Sequence, residues 1–338
     1  MIQGHGDDAY RYGRPIRANF SSNVYGHVDL EALKSHLRRQ IDSIGRYPEP
    51  EPYSLEAALA ARHDIAPAAV CVTSGATEAI YLIAHAFQSS RSTILTPTFS
   101  EYADACRLYN HQLNPCAPPG SRTARLVWLC NPNNPTGNVV AKEQLMAAFE
   151  ENRETIFVVD PSYGFFTLAP MLSPAEALAF PNVIQLHSMT KRYAMPGIRL
   201  GYMTANPQLI ERIRAVRMPW SVNALAIEAG LYLCEHPDTA PIDLSALLRE
   251  AQRLREALDA LPGLSALPTQ THFFLCRLAR GRAADLKEWL AEKHGILIRD
   301  AANFAGLDER YFRIAAQTPE ENDLLVAAVR QYLQEVAS

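Results

Sequence analysis

The sequence predicts a two-lobed α/β protein: a larger lobe on a mostly parallel central sheet, and a smaller α+β lobe. Three observations predict this. The chain has 338 residues, 48% of them hydrophobic, which exceeds the usual size of one domain. Short β-branched runs alternate with longer helical patterns through the first two-thirds, as strands alternate with crossover helices in parallel sheets. Those runs are apolar throughout rather than alternating, which fits strands covered on both faces.

Taken in order, strands are expected at 70–73, 93–96, 126–130, 156–160, 183–187 and 199–204. Helices are expected at 78–88, 100–109, 142–152 and 207–216. The segment 45–53 holds three prolines, which fix the backbone and remove donors, so it reads as extended chain. The last third changes character. A polar helix at 244–261 stops at Pro262-Gly263, followed by a strand at 272–278 and a helix at 284–293. Two short strands, 296–299 and 311–315, precede a final helix from Pro319. The expected division is an arm with part of the small lobe at 1–45, the large lobe at 46–238 and the small lobe at 239–338.

Composition narrows the function. Lys and Arg total 32 against 36 Asp and Glu, a net charge of −4, so no general attraction to nucleic acid or an anionic membrane is expected. Cysteines at 71, 106, 116, 130, 234 and 276 show no paired spacing and no histidine cluster, which reads as thiols in a reducing compartment and no metal site. The polar, acidic start is unlike a signal peptide, and no apolar run has the length of a membrane span. A soluble, cytoplasmic protein is expected.

The chemistry-bearing residues fall at strand ends, where α/β sheets gather ligands. Ser188-Met189-Thr190-Lys191 follows the strand 183–187. A lysine there can lose hydration, which lowers its pKa and frees its amine as a nucleophile. Ser188 and Arg199 bracket it, and both suit a phosphate. Asp160 ends the strand 156–160 and can hold a ring nitrogen protonated; Tyr163 follows three residues later. Asn131-Pro132-Asn133-Asn134-Pro135-Thr136-Gly137 forms a turn after the strand 126–130. Ser74-Gly75-Ala76-Thr77-Glu78 opens a helix whose first amides suit an anion. Phe99 and Tyr102 are alternative aromatics for stacking on a bound ring. Singly, each of these has a plainer reading: a solvated lysine, a turn aspartate, a helix cap, a core aromatic.

Together they resemble fold-type-I pyridoxal-phosphate enzymes of the class I/II aminotransferase family, from about Asn19 to the last helix. NNPTG at 133–137, SMTKRYAMPGIRLGY at 188–202 and RYPEPEPYSLEAALA at 46–60 carry the resemblance. It implies that Lys191 holds pyridoxal 5'-phosphate as a Schiff base and that Asp160 faces the pyridine nitrogen. Asn134 and Tyr163 would meet the phenolic oxygen, and Ala76, Thr77, Ser188 and Arg199 the phosphate. Tyr47 would reach the partner's cofactor across a homodimer interface. Arg313 would bind the substrate carboxylate, with Asn23 at the entrance and Arg299 as the candidate for a second anion.

Within the family the chain is most similar to the branch holding threonine-phosphate decarboxylase and histidinol-phosphate aminotransferase. This implies a small phosphorylated amino acid or amine as substrate. Met218-Pro219-Trp220-Ser221-Val222-Asn223, the stretch 296–315 and the early His5-Gly6 favour the decarboxylase. A short connection from Asn23 to Gly26, and Pro161 after Asp160 where the group commonly has Asp-Glu-Ala, depart from it. Transamination of histidinol phosphate or another amino acid is the alternative, and a catalytically silent cofactor-binding relative the third reading. Lys191 and Asp160 speak against silence.

Overall fold

The computed structural model describes residues 6–114 and 124–337; His5 and Cys116 lie outside them. The chain opens with strand β1 (Ala18–Asn19) and helices α1 (Glu31–Arg39) and α2 (Tyr53–His63). Then come β2 (Val70–Thr73), α3 (Gly75–Ala86), β3 (Arg91–Ile94), α4 (Glu101–Leu108) and β4 (Gln112–Asn114). β5 (Leu126–Cys130), α5 (Lys142–Glu151), β6 (Ile156–Asp160), α6 (Pro174–Ala177) and β7 (Val183–Ser188) follow. A single turn, α7 (Met189–Arg192), leads to β8 (Gly201–Ala205), α8 (Pro207–Arg214) and α9 (Ala224–Glu235). The last third holds α10 (Leu244–Asp259), β9 (Leu264–Ala266), β10 (Phe273–Leu278) and α11 (Ala283–His294). It ends with β11 (Ile296–Leu297), β12 (Arg299–Asp300), β13 (Tyr311–Ala315) and α12 (Pro319–Ala337).

Seven strands form the large sheet in the order β2-β8-β7-β6-β5-β3-β4. Its centre is parallel, and alternate residues feed two covered faces. Leu126, Trp128, Val158 and Ile184 pack with Ile80 and Ile83 of α3 on one side. Val127, Leu129, Phe157 and Val159 pack with Leu145 and Phe149 of α5 on the other. Each such side chain contributes roughly 1.5–3 kcal/mol on burial, which explains why these strands read as unbroken apolar runs. The edge strand β4 is not apolar, and the sequence pattern misses it.

β8 departs from the parallel expectation: it runs antiparallel to both neighbours, with Gly201 opposite Thr73 and Ser188. The connection from β7 spans residues 189–200 and carries one helical turn in place of the longer helix that usually returns a parallel strand. Arg199 is also not in the strand. It caps the short 3-10 turn before β8 at φ 58. The reversal has a consequence for the site, because the start of β8 now lies beside the carboxyl ends of β2 and β7.

The small lobe is a four-stranded antiparallel sheet, β12-β13-β10-β9, covered by α10, α11 and α12. Asp243 caps α10 by accepting from the Ala246 amide at 2.9 Å, and Leu247, Ala251, Leu254 and Leu258 form its buried stripe. α11 ends at Gly295 with φ 65, a left-handed cap that glycine adopts without strain. The expected strand 296–299 is divided. Ile296 and Leu297 pair with β1, whereas Arg299 and Asp300 pair with β13. That hand-over between sheets puts Arg299 directly opposite Arg313. α1 packs against α9, so the early chain serves both lobes. Among the described residues no helix is long and apolar enough to cross a membrane.

Candidate active site

One cleft of about 250 Å³ gathers the strand ends. β2 delivers Ala76 and Thr77 at the head of α3, β5 delivers Asn134, β6 delivers Asp160 and Tyr163, and β7 delivers Ser188 and Lys191. The small lobe adds Arg299, Phe304 and Arg313, and the chain's beginning adds Gly6, Asp7 and Ser22.

Lys191 lies on the one-turn helix after β7, where its Nζ donates to the Ser22 carbonyl at 3.1 Å. Burial pushes its pKa down to about 8, and the cations of Arg313 and Arg199 act in the same direction, against Asp7 and Asp160. Asp160 is buried, and burial raises its carboxyl above the usual range. Its Oδ2 accepts from Tyr102 Oη at 2.6 Å and its Oδ1 from the Ser162 amide at 2.9 Å. No ion pair reaches it among the described residues, so a cation placed against it would hold its charge in place. Tyr102 is thereby committed. Its hydroxyl serves Asp160, and its ring stacks on Trp128 at 5.8 Å between centroids. Phe99 stands edge-on to it and remains half-exposed on the cleft wall.

The other end of the cleft is open. Gly75, at φ 79, lets Arg199 pass so close that an added Cβ would lie 2.6 Å from its Nη2. A Cβ at Gly201 would lie 2.6 Å from the Ala76 amide nitrogen. Two glycines therefore bring the first turn of α3, Arg199 and the start of β8 into one cradle. The amides at a helix start lack partners within the helix, and Arg199, exposed to solvent, adds a positive charge beside them.

The small-lobe side of the cleft holds two buried guanidinium groups side by side. Arg313 Nη1 donates to Asn134 Oδ1 at 2.5 Å and Nη2 donates to the Ser21 carbonyl, while Nε has no partner. Arg299 donates to the Asp300 carbonyl and, at 2.7 Å, to Asn303 Oδ1, and lies over the Phe304 ring. Neither makes an ion pair among the described residues. Burial lowers the pKa of Arg313 to about 9, with Arg299 adding to the effect, and that of Arg299 to about 10. Directly opposed residues on antiparallel strands sit about 4.5–5.5 Å apart at Cα. Two like charges so placed, with no ion-paired carboxylate among the described residues, call for anions. Asn134 turns its oxygen to Arg313, which leaves its NH2 group for a different acceptor.

Of the residues expected from the sequence, Ala76, Thr77, Phe99, Tyr102, Asn134, Asp160, Tyr163, Ser188, Lys191, Arg199, Arg299 and Arg313 line this one cleft. Asn23 does not line it. It is buried behind the wall at φ 53, beside Tyr163 and His272. Tyr47 is 83% exposed and is absent from the wall of its own chain's cleft; its ring lies against Trp220 instead. Asp7, Ser22, Ser162 and Thr190 also line the cleft and were not singled out from sequence. Asp7 sits in a polar leading segment with no periodic signal, and only the fold returns it to the site.

The profile of the family described as "Aminotransferase class I and II" matches residues 16–329. A threonine-phosphate decarboxylase of Salmonella typhimurium is 32% identical over 94% of this chain and 92% of its own. A histidinol-phosphate aminotransferase of Symbiobacterium thermophilum is 31% identical over 88% and 85%. The crystal structure of L-threonine-O-3-phosphate decarboxylase from Porphyromonas gingivalis superposes with a TM-score of 0.90 at 38% identity, covering 94% of this chain and 99% of that one.

Proposed function

The chain belongs to the class I and II aminotransferase family, and from that membership we propose that it decarboxylates a small phosphorylated amino acid of the threonine-phosphate type. It is a pyridoxal-phosphate-dependent enzyme acting on a small molecule. The observation that carries the substrate reading is the Arg299–Arg313 pair: two buried cations in register beside Lys191, neither in an ion pair among the described residues. A compact substrate bearing a carboxylate and a phosphate supplies one anion to each. The names of the Salmonella and Porphyromonas relatives point to the same substrate.

The residues present fit the cofactor. The cradle of Ala76, Thr77, Ser188 and Arg199 suits its phosphate, the unpaired Asp160 suits its pyridinium nitrogen, and the free amide of Asn134 with Tyr163 suits its phenolic oxygen. Phe99 would take the ring face, since the Tyr102 hydroxyl is engaged with Asp160. When bound, the cofactor supplies an electron sink for bonds at the substrate Cα. Asp160 accepts hydrogen bonds from Tyr102 and the Ser162 amide, which oppose the rise in pKa caused by its burial, and it would hold the ring nitrogen protonated. Arg313 would hold the carboxylate and Arg299 the phosphate, so the pair would set which Cα bond is aligned for cleavage. Lys191, with its lowered pKa, accepts or returns a proton at Cα. Histidinol phosphate carries a phosphate but no carboxylate, so it would leave Arg313 without its anion, and its transamination would break the Cα–H bond instead.

The active form is read as a homodimer. Ile41, Ile44, Tyr47, Tyr53, Met218 and Trp220 are all exposed. The Trp220 amide donates to the Pro50 carbonyl at 2.8 Å, which ties two parts of that surface together. A second chain would cover this patch and bring its Tyr47 to the open phosphate end. The lobes are assigned as 46–238 and 239–338, with 1–45 as arm and part of the small lobe. Free thiols at Cys71, Cys106, Cys130 and Cys276 are buried, in keeping with a reducing cytoplasm.

The test is product analysis. Holoenzyme is incubated with O-phosphothreonine and, separately, with histidinol phosphate plus 2-oxoglutarate. Carbon dioxide from the first supports the proposal; glutamate from the second, without carbon dioxide from the first, overturns it in favour of transamination.

A further inference from the structure

A second cavity lies on the far side of the Lys191 turn. Arg62, His63, His187, Arg192, Tyr193 and Tyr202 are among its lining residues, and no aspartate or glutamate is. Ser162 and Ser188 line both this cavity and the substrate cleft.

Its two guanidinium groups flank one phenol ring. Arg62 donates to the Leu233 carbonyl at 2.8 Å and to Tyr193 Oη at 3.4 Å. Arg192 lies 5.1 Å from the Tyr193 ring centroid and 4.7 Å from that of Phe165. Both are partly withdrawn from water, and neither makes an ion pair among the described residues. The groups facing them are neutral. His63 Nε2 meets Tyr202 Oη at 2.7 Å, and His187 Nε2 meets Thr204 Oγ1 at 3.1 Å. The His187 and Tyr202 rings stack at 4.5 Å. Burial, then Arg62 and Arg192, push His63 down to about 4. The cavity thus presents two cations, two imidazoles and phenol hydroxyls with no resident negative charge. Guanidinium groups in that arrangement match oxyanions.

We propose that the cavity between Arg62 and Arg192 is a second binding site, separate from the substrate cleft, for a small phosphate-class oxyanion. The site does not depend on which reaction the cleft performs. It is coupled to the cleft by construction. Ser188 leads directly into the turn that carries Lys191, and the Ser162 amide bonds Asp160. An anion drawing Arg192 and the neighbouring turn therefore acts on the groups that hold the cofactor.

The experiment uses histidine-labelled holoenzyme titrated with inorganic phosphate and followed by imidazole resonances. The expected result is a saturable shift of the His63 signals, with its titration moving up toward the usual histidine range. Arg62→Gln and Arg192→Gln each weaken that response by about tenfold or more, the loss expected for one charge-assisted partner. Arg62→Lys retains more of it than Arg62→Gln, and Arg299→Ala leaves it intact. Melting curves without phosphate verify that each variant is folded, and if one is not, the other carries the test. The proposal is overturned if phosphate saturates the substrate cleft while His63 stays unmoved. It is equally overturned if Arg299→Ala abolishes the shift. Dissociation of the Arg62→Gln and Arg192→Gln proteins into monomers, with no phosphate response in the wild type, assigns the arginines to a subunit contact and also overturns it.

Discussion

Replacing Arg313 by glutamine separates a structural arginine from a substrate-binding one. The guanidinium is buried, donates to Asn134 Oδ1 and the Ser21 carbonyl, and faces Arg299 across the strands without a carboxylate. Burial and Arg299 take its pKa from the usual arginine range to about 9, which corresponds to at most about 5 kcal/mol of unfavourable charge. Against this stand two charge-assisted hydrogen bonds, roughly 1.5–3 kcal/mol each, which glutamine replaces only in part. The terms nearly cancel. Arg313→Gln should therefore change the unfolding free energy of the substrate-free enzyme by no more than about 1–2 kcal/mol. Breaking a buried ion pair instead costs about 3–5 kcal/mol. Catalysis should suffer far more. Losing two charge-assisted bonds to a substrate carboxylate removes about 3–6 kcal/mol, or about two to four powers of ten in kcat/KM. Urea unfolding and steady-state decarboxylation of O-phosphothreonine measure the two quantities. A stability loss above about 3 kcal/mol, with activity within tenfold of wild type, would refute the reasoning and make Arg313 a structural ion.

Three further outcomes follow from the site. Lys191 at about 8 is neutral in about one molecule in ten at pH 7 and mostly neutral above pH 9. Borohydride-trappable attachment of pyridoxal phosphate to the apoenzyme should thus accelerate about five- to tenfold from pH 7 to 9 and then level off; a rate still climbing at pH 10 would mark an ordinary lysine. Asp160→Asn keeps the shape and an acceptor for Tyr102 but removes the charge facing the pyridine nitrogen, so kcat should fall about a hundredfold or more with the protein still folded. Unchanged turnover would remove Asp160 from its role. Gly75→Ala puts a Cβ 2.6 Å from Arg199 Nη2 at φ 79, so cofactor affinity, read by equilibrium dialysis, should weaken about tenfold or more. Undiminished affinity would show that Arg199 does not hold the phosphate.

Much of the large lobe was legible because its signals are local. The runs Leu126–Cys130 and Ile156–Asp160 are apolar at every position because both sheet faces are covered, and the strand bounds agree with the structure. Lys191, Asp160 and Asn134 were legible for a related reason: each lies at or within a few residues of the carboxyl end of such a strand, and parallel topology sends those ends to one edge. β1, β4 and the break that divides the expected strand 296–299 into β11 and β12 were not legible. These segments are too short to show periodicity, and their partners lie far away in sequence.

By itself, the sequence determined the kinds of side chain available and the order of the strands that deliver them. Lys191, Asp160 and NNPTG at 133–137 declare cofactor chemistry before any fold is drawn. Tertiary structure decided the geometry between distant segments. The reversal of β8 brings Arg199 to the site, because an antiparallel return puts the start of β8 beside the carboxyl end of β7. The division of 296–300 between two sheets places Arg299 against Arg313. The bond from Tyr102 to Asp160 leaves Phe99 facing the cleft. In each case the deciding interaction joins residues many positions apart, and no local pattern records such a pairing.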